Sequence, residues 1–274
     1  MRIIDLSVMV EERSAEPCPP VYKRILHKNG AKTFCRRVHF SKSKTLKQKI
    51  ISIIKFLQGK QILKPSHFPQ GEFLSNEIVT IATHTGTHLD APFHYGPTCN
   101  GKTSRTIDDI PLELCYGNGV VLDCTGKEPG SYISKNDIIT ALNDINYALK
   151  EKDIVLIRTD SDKKWGTSAY FTEHPGMSRE AVKYLVDAGI KVMGIDAYGF
   201  DRSFKSMIGE FIRTKDKSVL WPAHFYGREQ EYFHMERLTN LDKIPYPSGF
   251  TVVCFPIKLH MSGAAWTRAV AIVQ

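Results

Sequence analysis

Eleven residues, His84-Thr85-Gly86-Thr87-His88-Leu89-Asp90-Ala91-Pro92-Phe93-His94, gather three imidazoles and one carboxylate, with a Gly and a Pro between them. In an extended segment, side chains at even spacing point to one face. His84, His88 and Asp90 therefore converge, and Pro92 turns the chain so that His94 can follow. Neutral imidazole nitrogens and carboxylate oxygens are the usual ligands of Zn²⁺ and also suit Mn²⁺. The segment points to metal chemistry. His84 and His88 also stand four apart, as in the helical zinc-protease motif. The β-branched run Ile78-Val79-Thr80-Ile81, Gly86 and Pro92 oppose a helix, and no Glu follows His84 to act as that motif's base. The spacing predicts a strand running into a tight loop.

The elements that must position these groups are legible in outline. Residues 2 to 10 read as an opening strand, residues 32 to 40 as another, and residues 78 to 84 as the strand leading into the cluster. Leu46, Ile50, Ile53, Ile54 and Leu57 recur at helical spacing before Gly59, predicting an amphipathic basic helix. Gly119 to Asp123 and Asp153 to Arg158 read as strands, the second with an unbroken apolar run that suggests burial on both faces. Ser134 to Lys150 reads as a helix, with Ser134 and Asp137 as its capping box, and a further helix runs from Ser178 to Gly189. Strands at 191–195, 250–256 and 269–273 complete the pattern, which argues α/β with a mixed sheet. No linker or repeat divides the chain.

At 274 residues the chain is long enough to bury a substantial core, and its 42% hydrophobic and 24% charged residues are ordinary for a globular protein. No apolar run approaches the roughly 18 residues that span a bilayer. Met1-Arg2-Ile3-Ile4-Asp5 meets a charge before a signal-peptide core could form, and six scattered cysteines contain no C-x-x-C pair. The expectation is a cytoplasmic protein with reduced thiols. The net charge of +8 is concentrated: residues 23 to 64 carry thirteen Lys and Arg and no acid. We read this as a solvated helix face rather than a nucleic-acid interface, since no nucleic-acid motif accompanies it. The apolar stripe of the basic helix reads as a docking face rather than a membrane anchor.

Three ligands around Asp90 leave open whether one ion or two bind. His224, after Trp221-Pro222-Ala223, and Glu236, twelve residues on, are candidates for further donors. Here the resemblance becomes specific. His84 to His94 resembles the H-x-G-T-H-x-D-x-P-x-H signature of the cyclase family of metal-dependent hydrolases, which includes bacterial kynurenine formamidases and isatin hydrolase. His224…Glu236 with Leu238-Thr239-Asn240-Leu241-Asp242-Lys243-Ile244-Pro245 resembles that family's second metal-binding segment. Gly194-Ile195-Asp196 and Gly263-Ala264-Ala265-Trp266-Thr267-Arg268-Ala269 resemble its central strand and closing segment. The matches span residues 84 to 270.

The resemblance implies one compact cyclase-like domain over residues 1–274, an α/β fold of swivelling β/β/α type with a mixed central sheet flanked by helices. The basic helix would be an insertion near 42–60. It implies that His84, His88 and Asp90 hold a first ion, with Asp90 bridging to a second held by His224 and Glu236, while His94 stays unligated as proton donor and acceptor. Zn²⁺ is the expected metal, as one or two ions, with Mn²⁺ as the alternative. A homo-oligomer, dimer or tetramer, is implied as well. Coordination lowers the pKa of water from 15.7 to about 7, and the implied reaction is hydrolysis of a small-molecule amide, an N-formyl amine or a cyclic amide. The alternatives are a cyclase, lyase or lactone hydrolase on the same scaffold, and nucleic-acid binding through residues 23–64. Phe93, Tyr95, Trp165, Tyr170 and Trp221 are candidates for an aromatic wall, His174 for a pocket or loop residue, and Arg268 for a partner of a substrate carboxylate or a buried acid. Asp196 and Asp201 read as orienters of ligand histidines or as turn residues. His27, His39, His67, His234 and His260 have no partner in the sequence.

Overall fold

Successive side chains of the apolar central strands point to opposite faces, which gives the larger part of the molecule a core on each face of one sheet. In the computed structural model, which describes residues 1–12, 14 and 16–274, nine strands pair in a mixed sheet. Their order across the sheet is Arg2–Asp5, Val270–Val273, Ser248–Val253, Tyr116–Asp123, Ile154–Arg158, Val192–Ile195, Phe233–Glu236, His88–Asp90 and Ala264–Trp266. The four strands from Tyr116–Asp123 to Phe233–Glu236 run parallel, and all other pairings are antiparallel. Val155 and Ile157 pack with Val120 and Leu122 on one face, beneath Ile138, Leu142, Val182 and Leu185 of two helices. Ile154 and Leu156 join the opposite core with Leu89, Met235, Phe250 and Val252. The apolar run at 154–157 is thus buried on both faces, as its lack of alternation predicts.

The two helices over this sheet begin as expected. Ser134 and Asp137 form a reciprocal capping box for Lys135–Asp144, and the Ser178 hydroxyl accepts from the Ala181 amide at the start of Arg179–Asp187. The first stops six residues before Lys150, because Asn146 takes a left-handed φ of 49° and turns the chain out. The opening strand is Arg2–Asp5 rather than 2–10.

The described residues fall into two compact units, Met1–Pro19 with Ala82–Gln274, and Pro20–Ile81. The second unit holds an antiparallel hairpin, Val21–Ile25 with Asn76–Thr80, and two helices, His27–Phe40 and Leu46–Leu57. The expected strand at 32–40 is therefore wrong: those residues are helical. Ala31, Cys35 and His39 recur every four residues and are buried together, so a helix face wins over the local aromatic and β-branched preference. Gly30 permits close packing there, since a Cβ would stand 2.5 Å from the Leu74 carbonyl oxygen. The expected helix over Leu46–Leu57 is present, opened by a Thr45/Gln48 capping box.

Candidate metal centre

Two short antiparallel strands carry the centre. In their register Asp90 lies opposite His234, and His88 opposite Glu236. Directly paired residues share a face, so four ligand-type side chains project together while Leu89 and Met235 enter the core behind them. Each strand thus repeats a His-x-acid pattern. His84 comes from the turn before the first strand, where Gly86 adopts a φ of 70° that favours glycine. His94 sits on the helical turn Pro92–Tyr95, opened by Pro92 at its first position.

The Asp90 carboxylate is fully buried and ringed by imidazoles. His84 Nδ1 lies 3.1 Å from Oδ1, His88 Nε2 3.4 Å from Oδ1, His234 Nε2 3.3 Å from Oδ2, His94 Nε2 3.8 Å from Oδ2 and His224 Nε2 3.9 Å from Oδ2. Glu236 faces His88, His224 and His234 at 3.6, 3.6 and 3.3 Å, and one of its oxygens accepts from the Phe200 amide at 2.7 Å. Three of the imidazoles are oriented from behind. His88 Nδ1 donates to the Gly86 carbonyl at 2.8 Å, His224 Nδ1 to Asp201 at 2.6 Å, and His234 Nδ1 to the Tyr95 hydroxyl at 3.0 Å. These bonds assign the Nε2 lone pairs to the interior of the cluster.

The donor set suits a divalent cation. His88 Nε2 and both Asp90 oxygens are buried without a hydrogen-bond partner, an arrangement that costs stability unless a cation occupies the space between them. Of the three groups among the described residues with a spacing that could suit one ion, two lie in this cluster: His84, His88 and Asp90, and Asp90, His224, His234 and Glu236. Asp90 belongs to both.

The sequence-derived residues His84, His88, Asp90, His94, His224 and Glu236 are therefore brought together. His234, read from the sequence as lacking a partner, is a correction: it completes the second group. Its signal was present, because Phe233-His234-Met235-Glu236 repeats the alternation of His88-Leu89-Asp90 on a strand. Asp201 orients His224 and also accepts from the Ala223 and His224 amides. Asp196 instead holds a loop, accepting from the Thr159 amide and hydroxyl and the Asp160 amide.

A cavity of about 210 Å³ opens beside the cluster, walled by His84, His94, His174, Tyr198, Phe204 and Trp221 among others. Of the five aromatic candidates, Trp221 is in this wall, while Tyr198 and Phe204 supply aromatic faces that sequence reasoning missed. Tyr95 has a different part: it is buried, its ring stacks on His234 and its hydroxyl donates to the Asp90 carbonyl. Trp165 packs edge-on against buried Tyr170, and Phe93 stands on the surface. His174 is buried in the wall, its Nδ1 donating to the Pro175 carbonyl. Arg268 is exposed and pairs with Asp5 at 2.6 Å, which removes it from the substrate-carboxylate part. Two other guanidinium groups reach the wall, and both are paired, Arg202 with Glu210 and Arg237 with Glu16.

The imidazoles of the cluster differ in protonation, and an ion bound at His234 would displace a proton from it. Burial takes His88 down to about 4, and burial with neighbouring His224 and His84 takes His94 to about 4 against the pull of Asp90. Both are neutral at pH 7. Burial opposes charge on His234 too, but the Asp90 and Glu236 carboxylates, each 3.3 Å from its Nε2, carry it up to about 9. In the metal-free protein this imidazolium neutralises the two carboxylates. A base with a raised folded pKa contributes stability fully below its unfolded value, near 6.5, and loses it as pH rises through 9. Thermal melts of chelator-treated protein should show a fall in Tm between pH 6.5 and 9 that His234→Gln flattens. An equal fall in the variant would assign the alkaline loss elsewhere.

Comparison with known proteins agrees with this geometry. A family model described as Putative cyclase matches residues 4–202. The chain is 25% identical to isatin hydrolase of Roseibium aggregatum over 212 residues, covering 74% of this chain and 76% of that protein. It is 27% identical to kynurenine formamidase of Paracidovorax citrulli over 192 residues, covering 70% and 77%. Among solved structures, an isatin hydrolase bound to the product analogue thioisatinate superposes with a TM-score of 0.71 at 20% identity, over 99% of this chain and 92% of that one. With its motifs, its sheet and its buried His/Asp/Glu cluster in agreement, the chain belongs to the cyclase family of metal-dependent hydrolases.

Proposed function

We propose that this protein hydrolyses a carbon–nitrogen bond in a small aromatic amide, a cyclic amide or an N-formyl aryl amine, at a divalent metal centre. The observation that carries this reading is the position of Asp90, shared by two donor groups and flanked by an imidazole open to a cavity. His84, His88 and Asp90 would hold one ion, and Asp90, His224, His234 and Glu236 a second. This nitrogen- and oxygen-rich set fits Zn²⁺, with Mn²⁺ as the alternative. A bound ion would supply Lewis acidity, bringing the pKa of water towards 7 and polarising a carbonyl.

The remaining work falls to the chain's own groups. His94, neutral at rest, accepts a proton from the attacking water at Nε2 and returns it to the leaving nitrogen. Asp201 holds His224 in one tautomer and one orientation. Tyr198, Phe204 and Trp221 offer flat apolar faces to an aromatic ring and keep water from it. The names of the relatives, isatin hydrolase and kynurenine formamidase, support an amide as the bond cut.

Assaying metal-loaded protein on isatin, N-formylkynurenine, simple aryl formamides and a lactone set, with metal content measured in parallel, tests the reading. Turnover of an amide that disappears with the metal is the expected result. Turnover surviving complete metal removal, or no amide turned over while a lactone is, would sink it. Asp201→Ala should lower activity or metal affinity about 10–100-fold, the usual cost of removing a group that orients a ligand histidine. Steady-state kinetics across a metal titration measures this.

A further inference from the structure

The Leu46–Leu57 helix has no buried residue. It touches its neighbour within the Pro20–Ile81 unit through Ser52 and Phe56: His39 Nε2 donates to the Ser52 carbonyl at 2.9 Å, and the Phe40 and Phe56 rings lie 5.6 Å apart. On the other side, Leu46, Ile50, Ile53, Ile54 and Leu57 are 49–79% exposed. At about 100° per residue these five fall within roughly 100° of arc. Lys47 and Lys49 flank that stripe on its two sides, with Ile51, also exposed, beyond Lys47. Lys42 and Lys44 precede the helix and Lys60 and Lys64 follow it, within a stretch of thirteen cations and no acid.

We propose that this helix lies on an anionic lipid surface, its isoleucine stripe in the headgroup–acyl boundary and its lysines on the phosphates. Charge complementarity selects this occupant. A second copy would cover the isoleucines but set lysine against lysine along both borders of the contact. A nucleic-acid duplex would neutralise the lysines but leave five large apolar side chains in water. An anionic bilayer satisfies both, an apolar layer directly beneath a negative one. At twelve residues the helix is about 18 Å long, and no helix among the described residues is long and apolar enough to cross a membrane. The association is therefore in-plane and reversible. This goes beyond the hydrolase reading, does not depend on it, and replaces the docking face inferred for this stripe from sequence with a lipid surface.

Co-sedimentation of the full chain with phosphatidylglycerol–phosphatidylcholine vesicles, and with phosphatidylcholine alone, tests the proposal. Binding to the anionic vesicles only, weakened at high salt, is the expected result. The triple variant Ile50→Ser/Ile53→Ser/Ile54→Ser should weaken it at least tenfold with an unchanged thermal melt. Lys47→Gln/Lys49→Gln/Lys55→Gln, which leaves the apolar stripe intact, should remove the preference for anionic lipid. Failure of the wild-type chain to bind either vesicle overturns the proposal. So does a homo-oligomer that the serine variant dissociates in the absence of vesicle binding, or binding to duplex DNA or RNA that the glutamine variant loses and the serine variant keeps.

Discussion

Asp90→Ala should abolish both bound metal and turnover, because the substitution removes the carboxylate common to the two donor groups and the anion that five imidazoles face. The other acids at the cluster are already engaged, Glu236 in the second group and Asp201 on His224. Loss of metal here is expected to be complete at micromolar metal. The variant also carries a folding cost, since stripping one partner from a buried ion pair removes about 3–5 kcal/mol, a large share of a typical 5–15 kcal/mol. Asp90→Asn separates the two effects. Its amide fills the same volume and keeps one acceptor oxygen, yet it is a poor ligand, so a folded, metal-depleted, inactive protein is the expected outcome. Metal analysis of purified Asp90→Asn, alongside its melting curve, checks this. Stoichiometric metal in that variant would exclude Asp90 from the ligands.

His94→Ala should behave in the opposite way. The side chain belongs to neither donor group, although its Nε2 lies 3.8 Å from Asp90, and it stands in the cavity wall. Metal content is expected to stay at the wild-type level while kcat falls about 10²–10⁴-fold, the range for loss of a positioned general acid–base. KM should change little, because the aromatic faces of the cavity remain. Equal metal loss in His94→Ala and Asp90→Asn would move His94 into the coordination shell and leave proton transfer to another group, with His174 the next imidazole on the wall.

Much of this centre was legible because its donors lie close in sequence. Spacing alone relates His84, His88 and Asp90, since a strand and its leading turn place them. His224 and Glu236 were reached through family resemblance, as nothing local connects position 90 with position 236. His234 shows what a reading by residue type overlooks. It stands alone as a histidine, but with Glu236 it repeats the His-x-acid step, and only the pairing of the two strands reveals that both steps face one way. The helix at His27–Phe40 was missed for a related reason. Its aromatic and β-branched content argues strand locally, while the burial of Ala31, Cys35 and His39 on one helical face settles it. Arg268 and Trp165 were singled out by residue type, which carries no information on distance from the cluster. The cavity's Tyr198 and Phe204 follow a central strand end, where loop residues commonly meet ligands.

The pairing of His88 and Asp90 with Glu236 and His234 ties catalysis to the way the sheet assembles. Because side chains alternate along a strand, a slip of one position between these neighbours would turn a ligand pair into the hydrophobic interior and bring Leu89 or Met235 into water. Neither part of the exchange is tolerable, so the polar set acts as a proofreading mark for strand alignment. Cation capture consequently reports on correct assembly: a chain folded out of step has nothing with which to grip an ion.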